Sequence, residues 1–359
     1  MTDLLALTAA LVDIPSVSHH ERAITEHLES LLAPVPWLEL TRVGENLVAR
    51  TVQDRPSRLV LAGHTDTVPP NGNERARVEG DVCWGLGAAD MKSGVAVLVE
   101  LATTVAEPAV DVTYVFYECE EVDSRFNGLE RLFRERPDLV AGDAAVLAEP
   151  TGARIEAGCQ GTMRVEVTFT GERAHSARSW LGRNAVHRLA PVLARLETYE
   201  GRRVTLDGCE FREGLQAVLV QGGVAANVVP DRALLTLNHR FAPDRTPEQA
   251  EAHVRSVVGA VDGFEVVDLA PAAPPALGHP LLTALARATG QPPRAKLGWT
   301  DVARFAARGV PATNFGPGDP NVAHAPGERV ERVELETVHR VLRDLLEGDA
   351  NSGGPPGRM

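Results

Sequence analysis

Apolar residues recur at helical spacing at the start of the chain and then give way to short β-rich runs. Residues 3–33, interrupted by Ile14-Pro15-Ser16, predict two helices joined by a loop. From about residue 38, strands and helices alternate, which is typical of an α/β sheet. The predicted strands cover residues 47–51, 58–62, 111–117 and 144–148, and the predicted helices cover residues 92–105 and 125–134.

A different pattern begins near residue 163. Residues 163–170 alternate between apolar and polar positions, as a half-exposed strand does. Pro191 is expected to bend the helix that follows, whose apolar face carries Ala185, Val186, Leu189, Leu193 and Leu196. A β-α-β-β-α-β order, the split βαβ arrangement, is then completed by strands at 217–221 and 233–241, a helix at 247–258 and a strand at 265–269.

The domain order follows from a Pro- and Ala-rich linker at residues 270–277. Beyond it, helices at 281–288 and 302–307 and a strand at 312–315 indicate that the first sheet resumes. We therefore predict an α/β domain interrupted by an inserted α+β domain. The predicted segments are 1–163 and 278–347 for the α/β domain, 164–277 for the insertion and 348–359 for a disordered tail.

The balance of charge excludes several classes of partner. The 359 residues include 36 Lys and Arg against 49 Asp and Glu, a formal net charge of −13, and no basic patch offsets it, so nucleic acid is excluded. No apolar run approaches the roughly 20 residues of a membrane-spanning helix. Asp3 and Asp13 flank the first apolar stretch, where a signal peptide carries positive charge. We expect a soluble, cytoplasmic protein.

The four cysteines are Cys83, Cys119, Cys159 and Cys209, with no C-x-x-C pair among them. This spacing argues against both a disulfide framework and a thiolate zinc site. We expect all four to be reduced and buried.

The first candidate site follows an apolar strand that runs into His64-x-Asp66. Positions i and i+2 of an extended chain point the same way, so Asp66 can bond one ring nitrogen of His64 and leave the other for a metal. A simple loop hydrogen bond is the alternative.

The second candidate is Asp90, which follows the glycines Gly85 and Gly87 and falls at the start of a predicted helix. Glycines let the backbone approach another group closely. A dinucleotide site is excluded because the third glycine is misplaced and no strand precedes the first. A helix N-cap is the alternative role for Asp90.

The third candidate is the acidic end of the strand at 111–117, where Glu118, Glu120 and Glu121 occur within four residues. Like charges at the end of an apolar strand are costly unless a cation neutralises them. Adjacent side chains of a strand point to opposite faces, so one of Glu120 and Glu121 is expected to bind metal and the other to act as a general base. A solvated strand end is the alternative.

The remaining candidates are Glu149, at the end of another apolar strand, and His324, in a loop rich in glycine and proline. Each alone has an ordinary structural explanation. Taken together, two histidines and three carboxylates at strand and loop ends indicate a two-metal hydrolase with nitrogen and oxygen ligands that suit zinc.

The chain resembles the co-catalytic zinc family of aminoacylases, acetylornithine deacetylases and carboxypeptidases in five motifs, which are His64-x-Asp66, Asp90, Glu120-Glu121, Glu149-Pro150 and His324. The resemblance implies a zinc-exopeptidase-like mixed-sheet catalytic domain and two Zn²⁺ ions, for which Co²⁺ can substitute. The ligands it implies are His64, Asp90 and Glu149 for one ion, and Asp90, Glu121 and His324 for the other. It further implies that Glu120 is the general base, that Asp66 orients His64, and that the Asp90-Met91 peptide is cis.

The inserted domain resembles the dimerisation or lid domain of the same family, which implies a homodimer. In that family, a histidine matching His175 reaches the active site of the partner subunit and stabilises the oxyanion. The implied contacts to a small N-acyl amino acid substrate are Arg178, Asn227, Arg240, Thr300 and Asn321.

Three segments, residues 156–162, 174–180 and 298–305, narrow the choice of substrate. They resemble the sequences of an actinobacterial branch of this family, whose members remove the succinyl group from N-succinyl-L,L-2,6-diaminopimelate. Proteobacterial members carry an Arg pair at the position of Cys159-Gln160, and Arg178 is the expected replacement as a carboxylate anchor. Acetylornithine deacetylation is the alternative activity, and a non-catalytic binding protein is the alternative class. A serine hydrolase is disfavoured because there is no G-x-S-x-G motif.

Overall fold

The computed structural model describes residues 3–348, which form two compact units. The first unit comprises the described parts of Met1–Ala157, Pro275–Arg294 and Arg304–Met359, and the second comprises Gly158–Pro274 and Ala295–Ala303. The predicted tail lies outside the described residues from position 349 onward. Residues 158–163 and 295–303, predicted in the first domain, fall in the second unit, and residues 275–277, predicted in the insertion, fall in the first. Within the second unit, the Lys296 carbonyl accepts a hydrogen bond from Gln160 N at 3.2 Å.

The helices and strands are numbered in chain order. The α-helices α1 to α10 are Leu4–Val12, Arg22–Leu32, Lys92–Thr104, Gly128–Glu135, Pro137–Val140, Ala190–Glu197, Pro247–Val258, Pro280–Ala288, Val302–Ala306 and Arg332–Glu347. The strands β1 to β10 are Glu39–Val43, Asn46–Arg50, Arg58–His64, Arg77–Glu79, Val82–Trp84, Asp111–Tyr117, Ala144–Leu147, Glu156–Ala157, Gly161–Thr170 and Ala174–His175. The strands β11 to β19 are Arg203–Leu206, Cys209–Arg212, Gly214–Gly222, Val228–Val229, Arg232–Phe241, Gly263–Ala270, Arg294–Ala295, Ala312–Asn314 and Arg329–Glu331. Three short 3-10 helices are Ser124–Phe126, Ser176–Leu181 and His187–Leu189.

The first unit is built on a mixed sheet with the strand order β1-β2-β6-β3-β7-β18-β8-β17. Strand β3 runs parallel to both β6 and β7, and β18 runs parallel to β7, so these four strands end at the same edge. All residues of β6 and β7 are buried, as expected of central strands covered on both faces. Helix α3, buried from Lys92 to Ala102, packs against α1 and α10. Strand β18 lies in this sheet between β7 and β8.

The second unit contains an antiparallel sheet with the order β13-β15-β9-β16. Alternate residues of β9, Val165, Val167 and Phe169, are buried and join a core with residues of β15 and α7. Two short pairs, β10–β14 and the β11–β12 hairpin, have no counterpart in the predicted order, and without them the elements follow the predicted β-α-β-β-α-β sequence.

Two helix predictions are wrong in detail. Pro191 lies in the first turn of α6 and does not bend it, because the first-turn N–H that proline lacks has no intrahelical partner. A 3-10 turn precedes α6, and Val192 takes the core position predicted for Leu193, which is 37% exposed. The predicted helix at 125–134 starts later, because the Asn127 side chain accepts a hydrogen bond from Glu130 N at 3.0 Å and caps α4.

The four cysteines, all within the described residues, are free and buried, as predicted. Within residues 3–348, no helix has both the length and the apolar character that crossing a membrane requires.

Candidate metal centre

The parallel strands of the first unit bring the predicted ligands to one edge of the sheet. His64 is the last residue of β3 and lies beside Tyr117, the last residue of β6, after which come Glu120 and Glu121. Glu149 follows the end of β7, and the loop carrying His324 follows the end of β18. In sheets of this kind, ligands bind at the carboxyl ends of the strands.

Asp90 lies between the two histidines. His64 Nε2 is 3.1 Å from Asp90 Oδ1, and His324 Nε2 is 3.5 Å from Asp90 Oδ2. His324 Nε2 is also 2.7 Å from Glu121 Oε1. The two oxygens of one carboxylate therefore face two different histidines, which is the arrangement that a bridging ligand requires.

Two groups of possible ligand atoms share Asp90. The first is His64, Asp90 and Glu149, and the second is Asp90, Glu121 and His324, with the ligand atoms of each group within 4.8 Å of one another. Glu120 lies beside them, because one of its carboxylate oxygens falls within 4.8 Å of ligand atoms of His64 and Glu121. The donors are imidazole nitrogens and carboxylate oxygens, a set that suits a divalent ion such as zinc. The residues therefore fit a pair of metal ions.

Asp66 contacts both the His64 ring and the backbone of Glu120 and Glu121. His64 Nδ1 lies 3.1 Å from the Asp66 carbonyl oxygen and 3.4 Å from its carboxylate. The same carboxylate accepts hydrogen bonds from the backbone N–H groups of Glu120 and Glu121, at 3.0 and 3.1 Å. It also accepts one from Ser18 Oγ at 2.7 Å. Asp66 thus holds the His64 ring and the Glu120–Glu121 backbone in a fixed relation, and Ser18 is a supporting residue that the sequence pattern missed.

The electrostatics of the site favour a cation. Burial alone would lower the pKa of His64, but hydrogen bonds to Asp66 and Asp90 raise it well above its ordinary range. Hydrogen bonds to Asp90 and Glu121 raise the pKa of His324 to about 10. Burial opposes ionisation of Asp90, yet its hydrogen bonds with His324 and His64 lower its pKa. Without metal, protons on His64 and His324 thus offset the negative charges of the neighbouring carboxylates. Bound metal ions can offset the same charges instead.

Metal affinity is therefore expected to rise with pH. A metal binds neutral imidazole, so each ion must displace a proton that the carboxylates hold on His64 or His324. As pH rises toward the pKa of about 10 of His324, this competition weakens and affinity increases by about tenfold per pH unit for each proton released. Calorimetric titration of the metal-free protein in buffers of different ionisation enthalpy counts the released protons. An affinity that stays constant between about pH 6 and 8 would contradict this expectation.

Asp90 lies in the turn before α3 but does not cap that helix. The helix-cap alternative for Asp90 is wrong, because Met91 occupies the N-cap position and the Asp90 carboxylate faces the histidines. The Asp90-Met91 peptide is cis, which confirms that expectation. Gly87 has φ +80°, a left-handed conformation that disfavours other residues.

A further group of possible ligand atoms, Glu21, Glu118 and Cys119, makes hydrogen bonds within the protein. Glu21 Oε1 accepts hydrogen bonds from Cys119 N and Cys119 Sγ, at 3.1 and 3.3 Å. Glu118 Oε1 accepts one from Asn46 Nδ2 at 3.1 Å. These contacts anchor the loop that leads to Glu120, and we assign no metal to them.

Most of the predicted substrate contacts lie in the second unit. His175 and Asn227 are neighbours there, since His175 pairs with Val228 and Ser176 N donates to the Asn227 carbonyl at 2.9 Å. Arg178 is exposed in the 3-10 helix Ser176–Leu181. Burial lowers the pKa of Arg240.

Two further predicted contacts differ in exposure. Thr300 is buried in the second unit. Asn321 is exposed in the first unit, on the loop that carries His324, and its side chain donates to Asp319 Oδ1 at 2.7 Å. Gln160, at the position of the missing Arg pair, donates its side-chain amide to the Arg212 carbonyl at 2.8 Å.

Comparison with known sequences places the chain in a family. The profile of peptidase family M20/M25/M40 matches residues 60–348. A succinyl-diaminopimelate desuccinylase of Corynebacterium glutamicum is 45% identical over 354 residues, 96% of each chain. A Mycobacterium tuberculosis protein provisionally given the same name is 53% identical over 348 residues, which cover 96% of this chain and 98% of that one.

Solved structures share the fold at low sequence identity. An aminopeptidase PepT of Bacillus cereus has a TM-score of 0.78 at 18% identity, with 96% of this chain and 97% of that chain covered. A dinuclear metal-binding M20 peptidase of Bacillus subtilis has a TM-score of 0.70 at 17% identity, with 97% and 98% covered. These similarities confirm the predicted fold class, a zinc-exopeptidase-like mixed-sheet domain accompanied by an α+β unit. The chain therefore belongs to peptidase family M20/M25/M40 and is a metal-dependent amidohydrolase.

Proposed function

We propose that this chain removes the succinyl group from N-succinyl-L,L-2,6-diaminopimelate, releasing succinate and L,L-diaminopimelate in the route to lysine. The observation that carries the proposal is the position of Asp90, shared between two groups of metal-ligating atoms. The name and the 45% identity of the Corynebacterium relative support the choice of acyl group.

The proposed cofactor is a pair of Zn²⁺ ions, for which Co²⁺ can substitute. His64, Asp90 and Glu149 would hold one ion, and Asp90, Glu121 and His324 the other. When bound, such ions polarise a carbonyl and lower the pKa of water.

Glu120 is the proposed general base. Its backbone N–H donates to Asp66 Oδ1 at 3.0 Å, and one of its carboxylate oxygens lies within 4.8 Å of ligand atoms of His64 and Glu121. In the reaction, the Glu120 carboxylate takes a proton from the attacking water and delivers it to the departing amine nitrogen of diaminopimelate.

The second unit is the proposed dimerisation or lid domain. Its edge strand β13 is exposed from Gln216 to Gly222, and Val218, Leu219 and Val220 are each more than half exposed. An exposed apolar edge strand readily pairs with another chain. We propose that it joins two copies in a homodimer and that His175 donates a hydrogen bond to the oxyanion in the partner's site.

Replacement of His175 by Ala is expected to lower kcat by about 10²–10³-fold, the usual loss for an oxyanion donor, while metal content stays unchanged. Its action across the dimer can be tested by co-expressing His175→Ala and Glu120→Gln subunits. In a mixed dimer, one site would combine an intact Glu120 with the His175 of the other subunit, so activity should return. Mixed dimers as inactive as the parents would contradict action in trans.

The proposed substrate contacts are Arg178, Asn227, Arg240, Thr300 and Asn321. The side-chain amide of Gln160 is engaged with Arg212, so Gln160 is a poor replacement for a missing arginine. The exposed guanidinium of Arg178 is the better candidate for a substrate carboxylate.

The substrate proposal is tested by assaying the purified, metal-loaded enzyme with N-succinyl-L,L-diaminopimelate and N-acetylornithine side by side. We expect a kcat/KM at least about 100-fold higher for the succinyl substrate, because its additional carboxylates pair with cationic side chains of the site. Acetylornithine, which lacks those carboxylates, would leave the same side chains unpaired. Preference for acetylornithine would assign the alternative deacylase activity. Metal binding without hydrolysis of either compound would support a binding protein.

A further inference from the structure

A buried carboxylate outside the ligand set contacts the backbone of the bridging aspartate. Glu328 is only 1% exposed, and its Oε1 accepts hydrogen bonds from Ala89 N at 3.0 Å and from Asp90 N at 2.9 Å. The Glu328 carbonyl accepts another from Gly85 N at 3.1 Å. The turn from Gly85 to Asp90 is therefore tied to a residue more than 230 positions later in the chain.

These N–H groups precede α3, where intrahelical acceptors are lacking. The N-cap residue Met91 supplies no side-chain hydrogen bond to the helix. A carboxylate near a helix N-terminus is also favoured by the helix dipole. Glu328 thus satisfies two peptide groups that would otherwise lose hydrogen bonds on burial.

The carboxylate of Glu328 is repelled by the negative charge of Asp90, so a positive charge is needed nearby to offset the repulsion. Lys92, which is 2% exposed, attracts Glu328 electrostatically and donates from Nζ to the Ile14 carbonyl at 2.7 Å. Lys92 also belongs to the same turn, because its backbone N–H donates to the Gly87 carbonyl at 2.8 Å.

The position of Asp90 matters because its two oxygens face different histidines, at 3.1 Å from His64 and 3.5 Å from His324. A small rotation of the Asp90 backbone would move both oxygens together. Glu328 follows His324 by four residues, so one short segment supplies a proposed ligand and anchors the bridging ligand.

We propose that Glu328 is a positioning residue of the metal centre, which fixes Asp90 through its backbone so that both carboxylate oxygens can bind metal. This inference rests on the proposed two-metal function. Among the described residues, Glu328 belongs to none of the groups of possible ligand atoms, and it acts through the backbone of Asp90.

The test compares three substitutions of Glu328 with the exposed control Glu336→Ala. Glu328→Ala removes the acceptor. Glu328→Gln keeps an acceptor oxygen at the same reach and loses the charge, whereas Glu328→Asp keeps the charge and is one methylene too short to reach both N–H groups. Co²⁺ is titrated into each metal-free protein by calorimetry, and the visible absorption and magnetic coupling of the bound Co²⁺ are recorded.

Positioning predicts that Glu328→Ala weakens Co²⁺ binding by about 10–100-fold, the usual effect of removing an outer partner of a metal ligand. Glu328→Gln should bind more tightly than Glu328→Asp, and Glu336→Ala should match the wild type. If Glu328→Ala fails to fold, the order of the Gln and Asp variants still decides the matter.

Wild-type affinities and spectra in Glu328→Ala would overturn the inference, even if its melting temperature fell, because that pattern indicates a purely structural role. Tighter binding by Glu328→Asp than by Glu328→Gln would also overturn it, since charge would then matter more than reach. Failure of the proposed function is seen separately, as a wild type that binds fewer than two ions. The order of the variants can still be measured on a single bound ion.

Discussion

Glu120→Gln is expected to lower kcat by about 10²–10⁴-fold while both metal ions remain bound. The amide is close in shape to the carboxylate, and the Glu120 backbone N–H that donates to Asp66 is retained. An amide cannot accept the proton from water, so the loss should fall on kcat with little change in KM. The measurement pairs steady-state kinetics with metal analysis of the same preparation.

A matched control for this variant is Asp123→Asn, which alters an exposed carboxylate on the same loop. Asparagine can still accept the hydrogen bond from Arg125 N that Asp123 accepts at 3.0 Å. The control should therefore keep wild-type kinetics. Retention of activity in Glu120→Gln would remove Glu120 as the base, and loss of metal would show that it is a ligand.

Asp90→Asn is expected to abolish activity because at least one of the two metal positions is lost. The amide offers one oxygen where the carboxylate offers two, so an NH₂ group would face either His64 or His324. The loss of metal affinity should exceed the roughly 10–100-fold that follows removal of an outer partner. Calorimetric titration with Zn²⁺ should show no more than one tightly bound ion.

The comparison for Asp90→Asn is Asp138→Asn, an exposed aspartate paired with Arg136 on the surface. It should leave metal binding unchanged, because exposed ion pairs contribute little. Two tightly bound ions in Asp90→Asn would show that Asp90 does not bridge.

The positions of most of the proposed ligands could be predicted because those residues lie just after apolar strands. Polar residues directly after buried strands are visible in sequence, and parallel strands carry them to one edge, as His64 and Tyr117 show by pairing in register. Pattern alone left open which of Glu120 and Glu121 binds metal. The structure favours Glu121 as the ligand, because it lies 2.7 Å from His324.

The supporting contacts could not be predicted in this way. Ser18 to Asp66 and Glu328 to Asp90 join residues far apart in the chain, and a single polar residue in a loop carries no periodic signal. Pro191 does not bend α6 for a different reason, since this helix begins only at Ala190 and proline is tolerated in the first turn of a helix.

Anomalous diffraction from crystals of the zinc-loaded protein shows whether two metal ions share Asp90. We expect two zinc peaks about 3.5–4 Å apart, one bounded by His64, Asp90 and Glu149 and the other by Asp90, Glu121 and His324. A single peak, or a second peak away from Asp90, for instance beside Glu21 and Cys119, would contradict it.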